Sequence, residues 1–284
     1  MKWKKIKEHI IYSLLRLSGL FIVCALAILL LYIISGGIEK ISWEFLTSFP
    51  TNGMMSGGIF PMIVGTLSLM ILTMVIALPI GIFSAIYLVE YAKPGRFTDA
   101  IRLAVHNLAG VPSIVYGLLG LGFFVVFLGL GLSLISAAFT LAIMVLPIVI
   151  ASSQEALRAV PQNMREGALA LGSTKWETTR HHVLPYALPG MLTGSILALS
   201  RAAGETAPII MTGAAFYITH LSSSIFDEFM ALPYSIYTLA TQSSNVEATR
   251  PTVFGAILVL LLIVLCMNLV AIIARNYYRK KYRW

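Results

Sequence analysis

The chain has 284 residues, 58% of them hydrophobic and 11% charged, with a formal net charge of +8 and a mean hydropathy of +0.87. A soluble domain carries roughly 25% charged residues, so this composition excludes an ordinary water-soluble protein and points to the membrane. The two cysteines, Cys24 and Cys266, stand in apolar runs without metal-ligand spacing; they suit buried apolar fillers and exclude a disulfide framework.

From the N-terminus, Lys2, Lys4, Lys5 and Lys7 precede an apolar run from Ile10 to Ile34. That run is longer than a signal-peptide core, no A-x-A site follows it, and Val23 before Cys24 does not suit lipoprotein cleavage. It is expected to be a retained first span. Crossing a hydrocarbon core takes about 20 apolar residues. Five more stretches qualify, at about 62–89, 103–130, 133–152, 187–217 and 253–274. No recurring period-2 alternation supports a β-barrel. An all-α protein of six transmembrane helices follows.

Basic residues cluster on one side of these spans: at the N-terminus with Arg16, between spans two and three (Lys93, Arg96, Arg102), between four and five (Arg158, Arg165, Lys175, Arg180), and after six (Arg275, Arg279, Lys280, Lys281, Arg283). Loops 35–61 and 218–252 hold only Lys40 and Arg250 among five acidic residues. The positive-inside rule then puts both termini in the cytoplasm of a multi-pass cell-membrane protein. The basic balance is a topology signal and implies no nucleic-acid partner.

Spans two to five contain Pro79, Pro112, Pro147 and Pro208, and spans one and six contain none. A mid-helix proline frees the carbonyl four residues earlier, which in lipid must face protein or a water-filled cavity. The expectation is a peripheral pair, one and six, around a working core of four. In span three, Pro112 frees the Leu108 carbonyl, with Asn107, Ser113 and Tyr116 nearby as neutral hydrogen-bonders. These serve either a pathway or helix packing.

Span five carries "SRAAGETAP", Ser200 to Pro208. Arg201 and Glu205 are four apart, near the midpoint of the expected helix, and Pro208 leaves the Gly204 carbonyl free. An intramembrane charge costs about 2.5–3.5 kcal/mol on insertion scales and marks a functional site by default. Two readings stand: an internal ion pair fixing helix register, or a stepping point for an anion. In the second, the arginine fork matches oxyanion geometry, and the glutamate accepts a proton-bearing oxygen. Gly190, Gly194, Ala198 and Ala202 form a ladder of small residues that lets a neighbouring helix approach, placing the pair at the edge of a helix contact such as a dimer seam or pathway.

The segment Val160–Pro185, "VPQNMREGALALGSTKWETTRHHVLP", reads as two short helices outside the membrane. Pro161 suits a first helical position, Gly172 suits a C′ stop, and Thr174 with Glu177 forms a capping box. A helix lying on the lipid surface is the alternative.

The spacing Glu166-Gly167-Ala168-x3-Gly172-x9-His182-Val183-Leu184-Pro185 resembles the EAA loop of ABC-importer permeases, with Gly167 in place of the usual alanine and His182 in place of isoleucine. Together with "NLAGVPSIVYGLLGLG", "LSRAAGETAPIIMTGA" and "LPYSIYTLA", the chain from about Gly57 to Arg275 resembles PstA-type phosphate importer permeases. The resemblance implies a type I importer permease fold. Its parts would be a cytoplasmic N-terminus and first helix (1–34), an extracytoplasmic loop (35–61), a five-helix domain (62–275) holding the coupling loop (153–186), and a basic tail (276–284). Glu166, Gly167, Ala168 and Gly172 would couple to the ATPase. Arg201, Glu205, Gly204, Ser113 and Asn107 would line the phosphate pathway. The implied partners are a second PstC-like permease, two copies of a PstB-like ATPase and a PstS-like extracytoplasmic phosphate-binding protein. No cofactor is expected on this chain, since the partner ATPase would use ATP and magnesium.

Rival readings have less support. There is no HExxH, no GxSxG and no histidine cluster for an intramembrane enzyme, and "GALALGSTK" lacks the Lys-Ser/Thr order of a phosphate loop. A secondary transporter would be expected to carry an internal repeat. A sibling permease for molybdate or sulfate remains the nearer alternative.

Overall fold

The computed structural model describes residues 2–281 apart from Gly53, Met55 and Ser244. Arg283 of the basic tail lies outside the described residues, as do the side chains of Lys2, Lys4, Lys5 and Lys7. Among the described residues, five helices are long and apolar enough to cross a membrane: Ile11–Lys40, Phe60–Tyr91, Leu134–Arg158, Lys175–Gly204 and Val246–Lys281. A sixth span is a bent pair, Arg96–Leu108 and Ser113–Phe127, whose two parts meet at 106°. The only sheet among the described residues pairs Pro50–Thr51 antiparallel with Ser56–Gly57.

The fourth span is the centre of the bundle. In its most apolar stretch 72% of residues are buried, against none in the first span and 11% in the sixth. Ala137, Ala138, Leu141, Val145 and Val149 pack with Leu69 and Ala77 of the second span and Ala198 and Ala202 of the fifth. Tyr116 of the third span joins the same cluster, and Gly117, Gly120 and Phe124 of that span are buried as well. Much of the third span's outer half is exposed: Leu118, Leu119, Phe123, Val126 and Phe127 all face outward. Cys24 and Cys266 also lie on exposed faces and are not buried fillers.

Prolines act unequally. Pro79 and Pro147 lie inside unbroken helices, whereas the chain breaks beside Pro112 and Pro208. Each breaking proline has a glycine within the four preceding residues, Gly110 or Gly204, and the others have none. The sixth helix, with bounds Val246–Lys281, also takes in Pro251, just over one turn from its start, and continues unbroken through it.

The small-residue ladder works within this chain. A Cβ on Gly190 would stand 2.6 Å from Ala156 Cβ, and one on Gly194 would stand 2.3 Å from Ser152 Cβ. The ladder is thus the seat of the fourth span on the fifth and not a dimer seam. In lipid, where water drives no apolar association, such close backbone approach is what holds helices together. A polar lock joins the fifth and sixth spans, with Asn268 Nδ2 donating to Ser200 Oγ at 2.9 Å.

The outer loops form a packed cap. Phe45, Met54 and Ile59 from one loop cluster with Met230, Leu232 and Leu239 from the other. The Leu232 N–H donates to Thr66 Oγ1 at 2.9 Å, and Gly65 admits the Met230 carbonyl to within 2.1 Å of where a Cβ would stand. This fastens the cap to the second span.

Candidate functional site

The fifth span ends at Gly204, and Glu205 continues in extended backbone at φ −76° and ψ 131° before a short helix, Ala207–Thr212. Arg201 sits in the last turn of the longer part. The expected midpoint on a continuous helix is therefore corrected: Glu205 meets Arg201 across a helix end. Arg201 Nε lies 3.7 Å from Glu205 Oε1, with side-chain exposures of 39% and 18%. That distance is an ion pair but not a hydrogen bond. Among the described residues no acceptor takes a hydrogen bond from the Arg201 guanidinium, and no donor reaches the Gly204 carbonyl.

The third span bends just before Pro112. Tyr116 Oη donates to the Leu108 carbonyl at 2.7 Å, so the carbonyl freed by Pro112 is satisfied across the bend. Ser113 opens the helix beyond the bend. Asn107 lies before it, exposed, on the amphipathic helix Arg96–Leu108. The helix from Ser113 packs against the short helix after Glu205, since a Cβ on Gly117 would stand 3.0 Å from Pro208 Cα and 3.3 Å from the Ala207 carbonyl oxygen. The two broken spans thus meet at their breaks. Arg201, Gly204, Glu205 and Ser113 belong to the elements joined there; Asn107 is separated from them by the bend.

The loop between spans four and five holds a helix, Gln162–Ala170, with Pro161 as its N-cap, so the helix starts one residue later than expected. It ends as the glycine predicts. Gly172 has φ +87°, its N–H bonds the Leu169 carbonyl, and the Ser173 N–H bonds the Ala168 carbonyl. These two bonds are a Schellman stop. Glu166 and Gly167 are exposed, while Ala168 is buried. The exposed edge also carries Leu169, Leu171 and, beyond the bend, Trp176. An exposed apolar edge beside an unpaired-face glutamate is suited to a protein partner.

Thr174 and Glu177 form the predicted capping box. It opens the fifth span directly, because Lys175–Gly204 runs without a break, and the second short helix expected there is instead the root of that span. Backbone and side-chain hydrogen bonds from Thr174 hold the Glu177 carboxyl below its ordinary range, with the His181 charge a lesser cause. A depressed carboxylate contributes stability above its unfolded value and loses it as pH falls through the folded value. Amide exchange at Thr174 and Glu177, the two N–H groups the cap binds, is therefore expected to match between wild type and Glu177→Gln only in acid, and to be slower in wild type from weakly acidic pH upward. Thr174→Ala is expected to remove about 1 kcal/mol of local helix stability, seen in the same amides at neutral pH.

Two further residues stand out that the sequence reading did not connect. Arg165 Nη2 lies 2.8 Å from Glu90 Oε1, with side-chain exposures of 12% and 8%. The guanidinium also donates to the carbonyls of Val160 at 2.7 Å and Leu157 at 2.8 Å. Glu90 is on a π-helical turn, Tyr87–Tyr91, that ends the second span. A lone glutamate in an apolar stretch was the one available signal; its partner is 75 residues away.

Against known proteins, residues 77–284 match the family described as binding-protein-dependent transport system inner membrane component. The chain belongs to this family. Among relatives, the phosphate transport system permease protein PstA of Mycobacterium leprae is 33% identical, covering 94% of this chain and 88% of that protein. The PstA 1 protein of Mycobacterium tuberculosis is 37% identical over 78% of this chain and 71% of its own length. The probable ABC transporter permease YqgI of Bacillus subtilis is 33% identical over 74% and 71%. In fold, this permease resembles a chain of a bacterial ABC transporter importing alginate, at TM-score 0.66 and 16% identity over 97% of this chain and 98% of the other. It also resembles a chain of the inward-facing MetNI methionine transporter, at TM-score 0.54 and 18% identity over 80% and 95%. The type I importer permease fold accounts for the expected span count once the bent third span is taken as one crossing.

Proposed function

We propose that this chain is the transmembrane permease subunit of an ATP-driven importer that moves inorganic phosphate across the cytoplasmic membrane into the cell. The carrying observation is that permease relatives matched over most of the chain are phosphate transport permeases named PstA. The contrast between two arginines supports the pathway. Arg165 is largely enclosed, with 12% of its side chain exposed, and Nε, Nη1 and Nη2 all donate to Glu90 or to carbonyls, whereas Arg201 is half-exposed with only a loose counter-ion. A guanidinium with free donors at the junction of two broken helices suits a passing oxyanion.

In this reading, Arg201 attracts phosphate and Glu205 keeps the cation from binding it too tightly. Glu205 also accepts a hydrogen bond from protonated phosphate, which sulfate does not offer. Gly204 and Ser113 line the junction, while Asn107 lies on the far side of the bend. Both termini face the cytoplasm, as the distribution of lysine and arginine supports. The permease performs no chemistry itself. A separate ATPase, present in two copies and using ATP with magnesium, docks on the exposed Glu166 and Gly167, while the buried Ala168 seats the loop helix and Gly172 makes the bend. A second, PstC-like permease completes the pore and a PstS-like binding protein delivers phosphate.

Proteoliposomes holding the permease pair and the ATPase, with binding protein added outside, are expected to accumulate radiolabelled phosphate only when ATP is inside. Excess sulfate or molybdate should leave that uptake unchanged. Competition by either anion would move the assignment to a sibling oxyanion importer, and uptake driven by an ion gradient alone would make the chain a secondary transporter.

A further inference from the structure

We propose that Glu90 and Arg165 are a positioning pair that transmits movement of the loop helix Gln162–Ala170 into the second and fourth spans. This rests on the importer reading and concerns how that importer is driven. The single guanidinium ties three elements together. Its Nε and Nη2 reach Glu90 at the foot of the second span, while Nη2 and Nη1 reach the Leu157 and Val160 carbonyls at the foot of the fourth. The Leu157 carbonyl also accepts from the Val160 N–H, so the guanidinium adds a bond from the loop helix to the turn that closes the fourth span.

The neighbouring residue makes a second link. Lys175 Nζ lies 5.2 Å from the centre of the Tyr91 ring, a cation–π contact. Glu90 and Tyr91, adjacent on one turn, thereby hold both flanks of the Gly172 bend: the loop helix before it and the root of the fifth span after it. A push on the loop helix cannot be absorbed by sliding along its neighbours without breaking buried charge-assisted bonds. It must instead carry the feet of the spans with it. A cavity of about 540 Å³, lined by Glu90, Arg165, Leu169, Lys175 and Thr178 among others, leaves room for that displacement. The exposed Glu155–Arg158 pair, by contrast, lies within one helix and couples nothing.

Lysine cannot replace this arginine, because one ammonium cannot span a carboxylate and two carbonyls in the fixed geometry of a planar fork. The test uses the full reconstituted complex and reads ATP hydrolysed per phosphate imported, with co-purification of the ATPase measured alongside. Arg165→Lys and Glu90→Gln are each expected to raise that ratio by about fivefold while the ATPase remains bound. The exchanged pair, Glu90→Arg with Arg165→Glu, is expected to bring the ratio back at least partway, since it restores the link to the second span but not the carbonyl bonds. An unchanged ratio in both single variants overturns the proposal. So does loss of ATPase binding in step with import, which would make the pair a structural staple. If the wild-type complex imports a different oxyanion, the phosphate assignment fails, and the pair is still judged by the ratio of ATP to that anion.

Discussion

Replacing Arg201 with methionine is expected to lower ATP-driven phosphate uptake about a hundredfold while leaving the permease inserted and assembled. The size follows from one or two charge-assisted hydrogen bonds to the travelling anion, each worth about 1.5–3 kcal/mol, at roughly 1.4 kcal/mol per tenfold change in rate. The insertion cost points the same way: a cation is kept near the end of a membrane helix, and nothing in the bundle is fastened by it. Its partner is 3.7 Å away and it makes no other polar contact among the described residues. Because Arg201→Met leaves Glu205 without its counter-ion, the companion variant Arg201→Met with Glu205→Gln is measured too. Initial uptake rates within twofold of wild type in both would place the charge in the scaffold. Glu205→Gln alone is expected to narrow the preference for phosphate over sulfate, read by competition.

Gly194→Ala is the second substitution with a large expected effect, and it acts on the fold. The added Cβ would stand 1.7 Å from Ser152 Oγ and 2.3 Å from Ser152 Cβ. The hydroxyl is held by the Ile148 carbonyl at 2.7 Å and the Val149 carbonyl at 3.1 Å, and the Cβ cannot rotate away. The fourth and fifth spans must therefore separate, at a cost of about 1–3 kcal/mol or more for overpacking a close contact. The expected readout is a lower melting temperature of the purified permease and less of it in the membrane. Adding Ser152→Gly removes both obstructing atoms and is expected to recover most of the loss. A melting temperature unmoved by Gly194→Ala would mean that the two helices adjust freely at this point.

Several features were legible from short stretches of sequence because their causes are local. Hydropathy over about 20 residues marks a crossing whatever it packs against. Thr174 and Glu177 are three residues apart, so their reciprocal cap needs nothing beyond one helical turn. Gly172 stops the loop helix through bonds to carbonyls three and five residues back. Family membership was legible for a similar reason, since the EAA-like spacing and the "RAAGETAP" stretch are continuous runs of residues.

Other expectations changed once distant elements met. Four prolines looked alike in sequence, yet two break their helices and two lie within packed ones. The glycine ladder required a close neighbour, and only assembly identified it as Ser152 and Ala156 of the same chain. Arg201 and Arg165 are both arginines in a largely apolar protein. One is held by Glu90 and two carbonyls and the other is nearly free. Composition and periodicity therefore settled that the chain crosses a membrane, roughly where, and to which family it belongs, because these depend on neighbouring residues and solvent. Which charge is a fastener and which is available to a ligand depended on partners far apart in sequence, because hydrogen-bond saturation is a property of the packed neighbourhood and not of the residue.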